Sequence, residues 1–220
     1  GKAGTFSLFG LGGRSIIEQE DRGVTNDTLF ATSNFGSRMG ILGLTHTRLL
    51  NSNNYIYTTV SLSGNASHTD YREVEVPGET ALEQRYKDDM GRWTWRLSST
   101  LNTRINAAHK LRSGVIVSLD HFRMLSDDFN RETGRMDRQL DDRGNATVVQ
   151  AFTSWKWRWN EQWTMTSGMH LLHHGLNGAT SVEPRLGLRY QQSPVQAFTL
   201  GGGLHSRMEA TMTYLAKVED

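Results

Sequence analysis

Three histidines, His170, His173 and His174, are the first residues whose type and spacing suggest chemistry. Imidazoles bind zinc when several ring nitrogens converge on one point. On an extended chain these do not converge. His170 and His174 share a face but lie about 13 Å apart at ~3.3 Å per residue, and His173 points the other way. Ligands would have to come from neighbouring strands, so no metal site is assigned. Asp128-Phe129-Asn130-Arg131-Glu132-Thr133-Gly134 places oxygen donors at alternate positions, as calcium loops do. It lacks the glycine spacing and terminal glutamate of an EF-hand, and reads instead as an exposed loop turning on Thr133-Gly134. Gly10-Leu11-Gly12-Gly13 and Gly201-Gly202-Gly203 lack the following helix that a phosphate cradle needs. In strands such glycines mark bends or the close approach of another backbone. No nucleophile elbow or paired carboxylates stand out, and cysteine is absent. The sequence therefore offers no catalytic residue and no cofactor site, and the expectation is a protein that is not an enzyme. Asn65-Ala66-Ser67 and Asn145-Ala146-Thr147 match glycosylation acceptors by their three-residue pattern alone.

The elements that carry these residues are strands. Trp93 to Asn106 alternates strictly, with Trp93, Trp95, Leu97, Ser99, Leu101, Thr103 and Ile105 on one face. Thr94, Arg96, Ser98, Thr100, Asn102, Arg104 and Asn106 form the other. Successive strand side chains point to opposite faces, so the segment is half apolar and half strongly polar. Val149–Trp159 and Val182–Gln191 repeat the design. Nine strands are expected, near 5–17, 37–50, 55–73, 92–108, 114–127, 146–160, 163–176, 182–192 and 196–215. Short connectors fall at 51–54, near His109 to Ser113, at 160–162 and at 192–195. Most of the others are long and polar, at 18–36, 74–91 and 128–145, with a shorter one at 177–181.

Short turns at one end and long loops at the other is the plan of an outer-membrane β-barrel, whose turns lie on the periplasmic side. The expected fold class is thus all-β, an antiparallel meander of about nine long strands forming part of a transmembrane barrel. Residues 1–220 are read as one partial barrel domain, because an odd strand count does not close an ordinary even-stranded barrel. With 24 basic against 23 acidic residues, nothing points to a nucleic-acid partner. No run approaches the roughly 20 apolar residues of a membrane helix. The first fourteen residues lack the pattern of a signal peptide, so any leader is expected upstream.

Tyr55, Tyr57, Trp157, Trp159, Trp163, Tyr190 and Phe198 cluster beside the short turns, while Trp93 and Trp95 lie at the opposite end. They are expected to form two lipid-facing interfacial girdles. Arg96, Arg104, Lys156, Arg158, Glu183, Arg185 and Arg189 fall on the polar face, where they could line a lumen, contact a plug, or pair with one another.

Glu183-Pro184-Arg185-Leu186-Gly187-Leu188-Arg189-Tyr190, a short turn, then Leu200-Gly201-Gly202-Gly203-Leu204-His205-Ser206-Arg207, resembles the barrel of TonB-dependent outer-membrane receptors of Bacteroidetes type. Gly43-Leu44-Thr45-His46-Thr47-Arg48-Leu49-Leu50, an Asn-rich turn and Tyr57 to Asn65 is similar to an earlier hairpin of that family. The resemblance spans about 37 to 216. It implies a larger barrel in the bacterial outer membrane, an N-terminal plug, a TonB-type energy-coupling protein and a surface lipoprotein as candidate partners. It also implies uptake of a scarce nutrient (oligosaccharide, peptide or metal chelate). The alternatives are a passive porin, a barrel with adhesive loops, and a soluble β-sandwich binding module.

Overall fold

A computed structural model describes residues 3–23, 28–74, 81–209 and 214. Nine strands follow one another: β1 Thr5–Arg22, β2 Leu29–Asn51, β3 Asn54–Val74, β4 Leu82–Arg104, β5 His109–Asn130, β6 Arg135–Arg158, β7 Trp163–His174, β8 Ala179–Ser193 and β9 Gln196–Gly203. Each pairs antiparallel with its sequence neighbours in a single sheet ordered β1 through β9. The all-β meander expected from the alternating pattern is therefore present. The sheet is open, with β1 and β9 as its edges.

Asparagine side chains build the turns. Asn51 Oδ1 accepts from the Asn53 amide at 2.9 Å, and Asn160 Oδ1 accepts from Gln162 and Trp163 at 2.9 and 2.8 Å. Such Asx turns imitate a backbone turn with a side-chain acceptor. Asn106 does the same for Ala108 and His109, both at 2.9 Å, and this relocates one expected turn. The chain reverses at 105–108 rather than near His109 to Ser113, so Ile105 lies in the turn. Gly114 is a strand residue, as expected, and sits beneath the Phe152 ring, whose Cζ would stand 2.6 Å from a Cβ built there.

The long connectors at 18–36, 74–91 and 128–145 are mostly strand, which corrects the loop expectation. β4 starts at Leu82 and β5 runs to Asn130, well past the apolar segments. These extensions are polar on both faces, so they carry no apolar period of two. Cross-strand polar contacts hold them: an ion pair of Arg138 with Asp127 at 2.5 Å and a hydrogen bond between His68 and Asp89 at 2.8 Å. The 128–134 segment does turn on Gly134, in the left-handed region at φ 64°. Asn130 Oδ1 accepts there from Glu132 and Thr133, so its oxygen serves the turn. The ninth strand ends at Gly203, short of the expected 215. Residues 24–27, 75–80, 210–213 and 215–220, which belong to the expected loops and last strand, lie outside the described residues.

Register determines the faces. Directly paired residues project to the same side, and the register shifts lie in the extensions or beside the turns. Through the middle of the sheet the two faces are unbroken. One row runs Leu8, Leu44, Val60, Leu97, Val117, Val149; the neighbouring row on the opposite face includes Ser61, Arg96, Ser118 and Val148. No second layer of described residues covers either face, although Tyr214 packs on His174 at 5.0 Å at one corner of the polar side. Among the described residues buried apolar ones are few, and their one cluster, Phe122, Met124 and Ala146 with Met90, Leu140 and Leu176 packed on it, lies on the polar side.

Candidate functional site

The apolar face is the most distinctive surface of the molecule. Trp93, Trp95, Leu97 and Leu101 of β4 lie in register with Leu42 and Leu44 of β2, Val60 and Leu62 of β3, and Val115, Val117 and Leu119 of β5. Through Val149 and Trp157 of β6 the face continues to Leu171, Leu186 and Leu188. It stays uncovered: Leu42 is 57% exposed, Leu97 45%, Leu119 45% and Leu186 57%. A contiguous apolar face of this kind marks a surface that meets another apolar phase or partner. Its height is regular. Trp93 to Leu101, Leu111 to Leu119, Trp163 to Leu171 and Val182 to Tyr190 each span nine residues.

Aromatic rings rim this face. At the short-turn end Trp155 and Trp157 stack at 5.4 Å, Trp159 meets Trp157 edge-on at 5.1 Å, and Trp163 packs on Tyr190 at 4.7 Å. At the far border Trp93 stacks on His121 at 3.8 Å. Trp93 and Trp95 stand mid-strand rather than just past a loop, because β4 begins at Leu82. Two hydroxyl pairs within the face satisfy each other, Thr58 with Ser99 and Ser113 with Thr153, both at 2.9 Å. Self-pairing removes the cost of leaving a polar group without water.

Tyr55 departs from its expected place. It pairs with Asn102, and Tyr57 with Thr100, so both tyrosines project from the polar face. The apolar residues of β3 fall at even positions, Ile56, Val60 and Leu62. Nearness to a turn gave the height of Tyr55 but not its side.

All seven expected polar-face residues do lie there. Arg96 Nε donates to Ser118 Oγ at 3.0 Å, and Arg189 donates to Gln191 at 2.7 Å. Glu183, only 4% exposed, centres a network of Arg185 at 2.7 Å, His170 at 3.2 Å and Ser206 Oγ at 2.5 Å. His170 also meets Gln150 at 3.1 Å, whereas His173 pairs with Thr180 on the opposite face and His174 with Asn177. The three histidines thus serve separate partners, and among the described residues no group of three or more His, Cys, Asp or Glu could hold a metal.

Two polar features were not read from the sequence. Asp120 is buried, accepting from Arg92 at 2.6 Å and Thr94 at 2.5 Å. The second is a basic cluster at the short-turn end. Register sets Arg104 opposite Lys110, Lys110 opposite Lys156, and Arg112 two residues further along. These side chains, with Tyr55 and Asn102, border an open cavity of about 370 Å³. A neighbouring depression of about 400 Å³ is bordered by Lys156, Arg158 and Arg189, with Glu161 also on its rim. Like charges directly opposite one another are destabilising unless an anion lies among them. Strand pairing alone creates this convergence; in the sequence the residues are up to 85 positions apart (Arg104 to Arg189).

The sequence matches no protein-family model and no curated protein.

Proposed function

We propose that the chain is a sector of an outer-membrane β-barrel receptor that takes part in energy-coupled uptake of a nutrient. The observation that carries the barrel reading is the uncovered apolar face, nine residues tall and rimmed by aromatic rings. A transmembrane β-strand needs about 9–11 residues. Nine residues at ~3.3 Å, tilted about 40°, give a band of about 23 Å, against the ~25 Å apolar belt of outer-membrane barrels. The opposite face carries Arg96, Arg104, Lys156, Arg158, Arg185 and Arg189, which a water-filled or plugged lumen accommodates and lipid does not. In a bilayer the edges β1 and β9 require pairing, with each other or with further strands, since unpaired backbone groups are costly there.

Orientation follows from the extensions. The ends of β3 to β6 that rise beyond the apolar band carry charge on both faces and would stand in water on the outside. They are the part suited to capturing a solute. The receptor assignment itself rests on the resemblance of the segments around Glu183–Arg189 and Gly43–Leu50 to TonB-dependent receptors. It brings with it a plug, a TonB-type coupling protein and a surface lipoprotein as partners.

Fractionation of the producing cells and growth of a deletion strain on single nutrients test the two levels separately. Recovery in the aqueous fraction without detergent would sink the barrel reading. Membrane recovery with unchanged uptake across oligosaccharides, peptides and metal chelates would leave a barrel and remove the receptor.

A further inference from the structure

One register row on the apolar side of the sheet is strongly basic. Arg14 of β1 pairs with Arg38 of β2, Arg38 with Ala66 of β3, Ala66 with Gly91 of β4, Gly91 with Arg123 of β5, and Arg123 with Arg143 of β6. Four exposed arginines thus line up on one face, in two directly opposed like-charge pairs. No carboxylate of the described residues forms an ion pair with any of the four. Such pairs are destabilising in water unless something anionic lies between them.

The middle of the row is hollow. Ala66 and Gly91 have no bulk, and Gly64 sits two residues below, so Arg38 and Arg123 flank a shelf about 14 Å wide, three strand spacings of ~4.8 Å. Two overlapping open cavities occupy it, about 440 and 610 Å³, both bordered by Arg38, Ala66, Gly91 and Arg123. Trp93 and His121 form the lower border, where the apolar band starts. Asp89 borders the upper side, but its carboxylate is held by His68 at 2.8 Å and Lys87 at 3.8 Å.

An arginine row immediately above an apolar band suits an amphiphile with an anionic head and acyl chains. The guanidinium fork matches phosphate oxygens in bidentate fashion, and Trp93 and Leu97 below offer a surface for the chains. We infer that the Arg38–Arg123 shelf binds the phosphate-bearing headgroup of a membrane lipid at the outer border of the bilayer. This rests on the barrel reading above and adds a specific lipid contact to it.

The test uses the full protein, reconstituted into phosphatidylcholine vesicles with or without phosphatidic acid, then extracted in mild detergent for native mass spectrometry of retained lipid. Phosphatidic acid should be retained in preference to phosphatidylcholine, and molar salt should weaken that preference. Arg38→Gln and Arg123→Gln should each weaken it about tenfold, the worth of one charge-assisted hydrogen bond of about 1.4 kcal/mol. Lysine at either position should retain part of it. Equal retention of both lipids, or arginine variants indistinguishable from the parent, would overturn the inference while insertion into vesicles still upheld the barrel. Competition by inorganic phosphate with no advantage for the lipid would reassign the shelf to a soluble anion and equally overturn it. Failure to insert into either vesicle would remove the barrel reading and this inference together.

Discussion

Replacing Leu97 by arginine separates a membrane strand from a solvated one. Leu97 lies midway between Trp93 and Leu101, with Val60 and Val117 directly across, and is 45% exposed. On a soluble sheet a substitution at so open a site shifts stability by no more than about 0.5 kcal/mol. At the midplane of a bilayer an arginine on the lipid side costs about 2–4 kcal/mol. That is roughly a 30- to 700-fold change in the unfolding equilibrium. Ser98 supplies the internal control, because it pairs with Thr59 and Ile116 on the polar face, one residue along the same strand. Ser98→Arg should cost under about 1 kcal/mol, since water or a polar filling meets it there. Reversible urea unfolding in phosphatidylcholine vesicles, followed by tryptophan fluorescence, measures both. Equal costs for the two variants, or a cost for Leu97→Arg within about 0.5 kcal/mol of zero, would refute the two-faced assignment.

Gly114→Val should destabilise the sheet by about 1–3 kcal/mol, because the new side chain meets the Phe152 ring and the Ser99 carbonyl; thermal unfolding in detergent measures the loss. Asp120→Ala should cost about 1–3 kcal/mol, leaving the buried Thr94 hydroxyl without its acceptor and Arg92 without its partner. Asp120→Glu, which can re-form the pair, should recover part of that. In the β3–β4 extension, hydrogen bonding from Arg72 holds the Asp70 carboxyl below its ordinary value. A carboxyl so lowered stabilises the folded state fully above the unfolded value of about 3.9 and loses that contribution as pH falls through the folded value. Proteolysis of this extension should therefore rise below about pH 4, and Asp70→Asn should flatten the dependence.

Strands whose two faces differ in chemistry were legible from residues alone. Trp93 to Asn106 gave the apolar face of β4 and its polar opposite, and every arginine expected on the polar side of β4, β6 and β8 is there. The extensions were not legible, because Asp70, Arg72 and Glu73 face Lys87, Gln84 and Glu83 in strands that are polar on both sides. Such a segment has the composition of a loop; only its pairing makes it a strand. The turn at Asn106 was misplaced for a related reason. An asparagine acceptor leaves a weaker mark on composition than a glycine, and the Asn106 side chain that closes this turn lies inside the alternating pattern of Trp93 to Asn106. Tyr55 shows that proximity to a turn does not determine a side. The clusters Arg104–Lys110–Lys156 and Arg14–Arg38–Arg123–Arg143 are properties of register, and no window of the sequence contains either.

The central claim is that the apolar face meets lipid, and the tryptophans report on it directly. Of the six, Trp93, Trp95, Trp155, Trp157 and Trp163 lie on that face, and Trp159 packs against Trp157. In vesicles of brominated phosphatidylcholine their fluorescence should be strongly quenched, and added iodide should have little effect. Strong quenching by iodide with none from the brominated chains would place these rings in water and contradict the account.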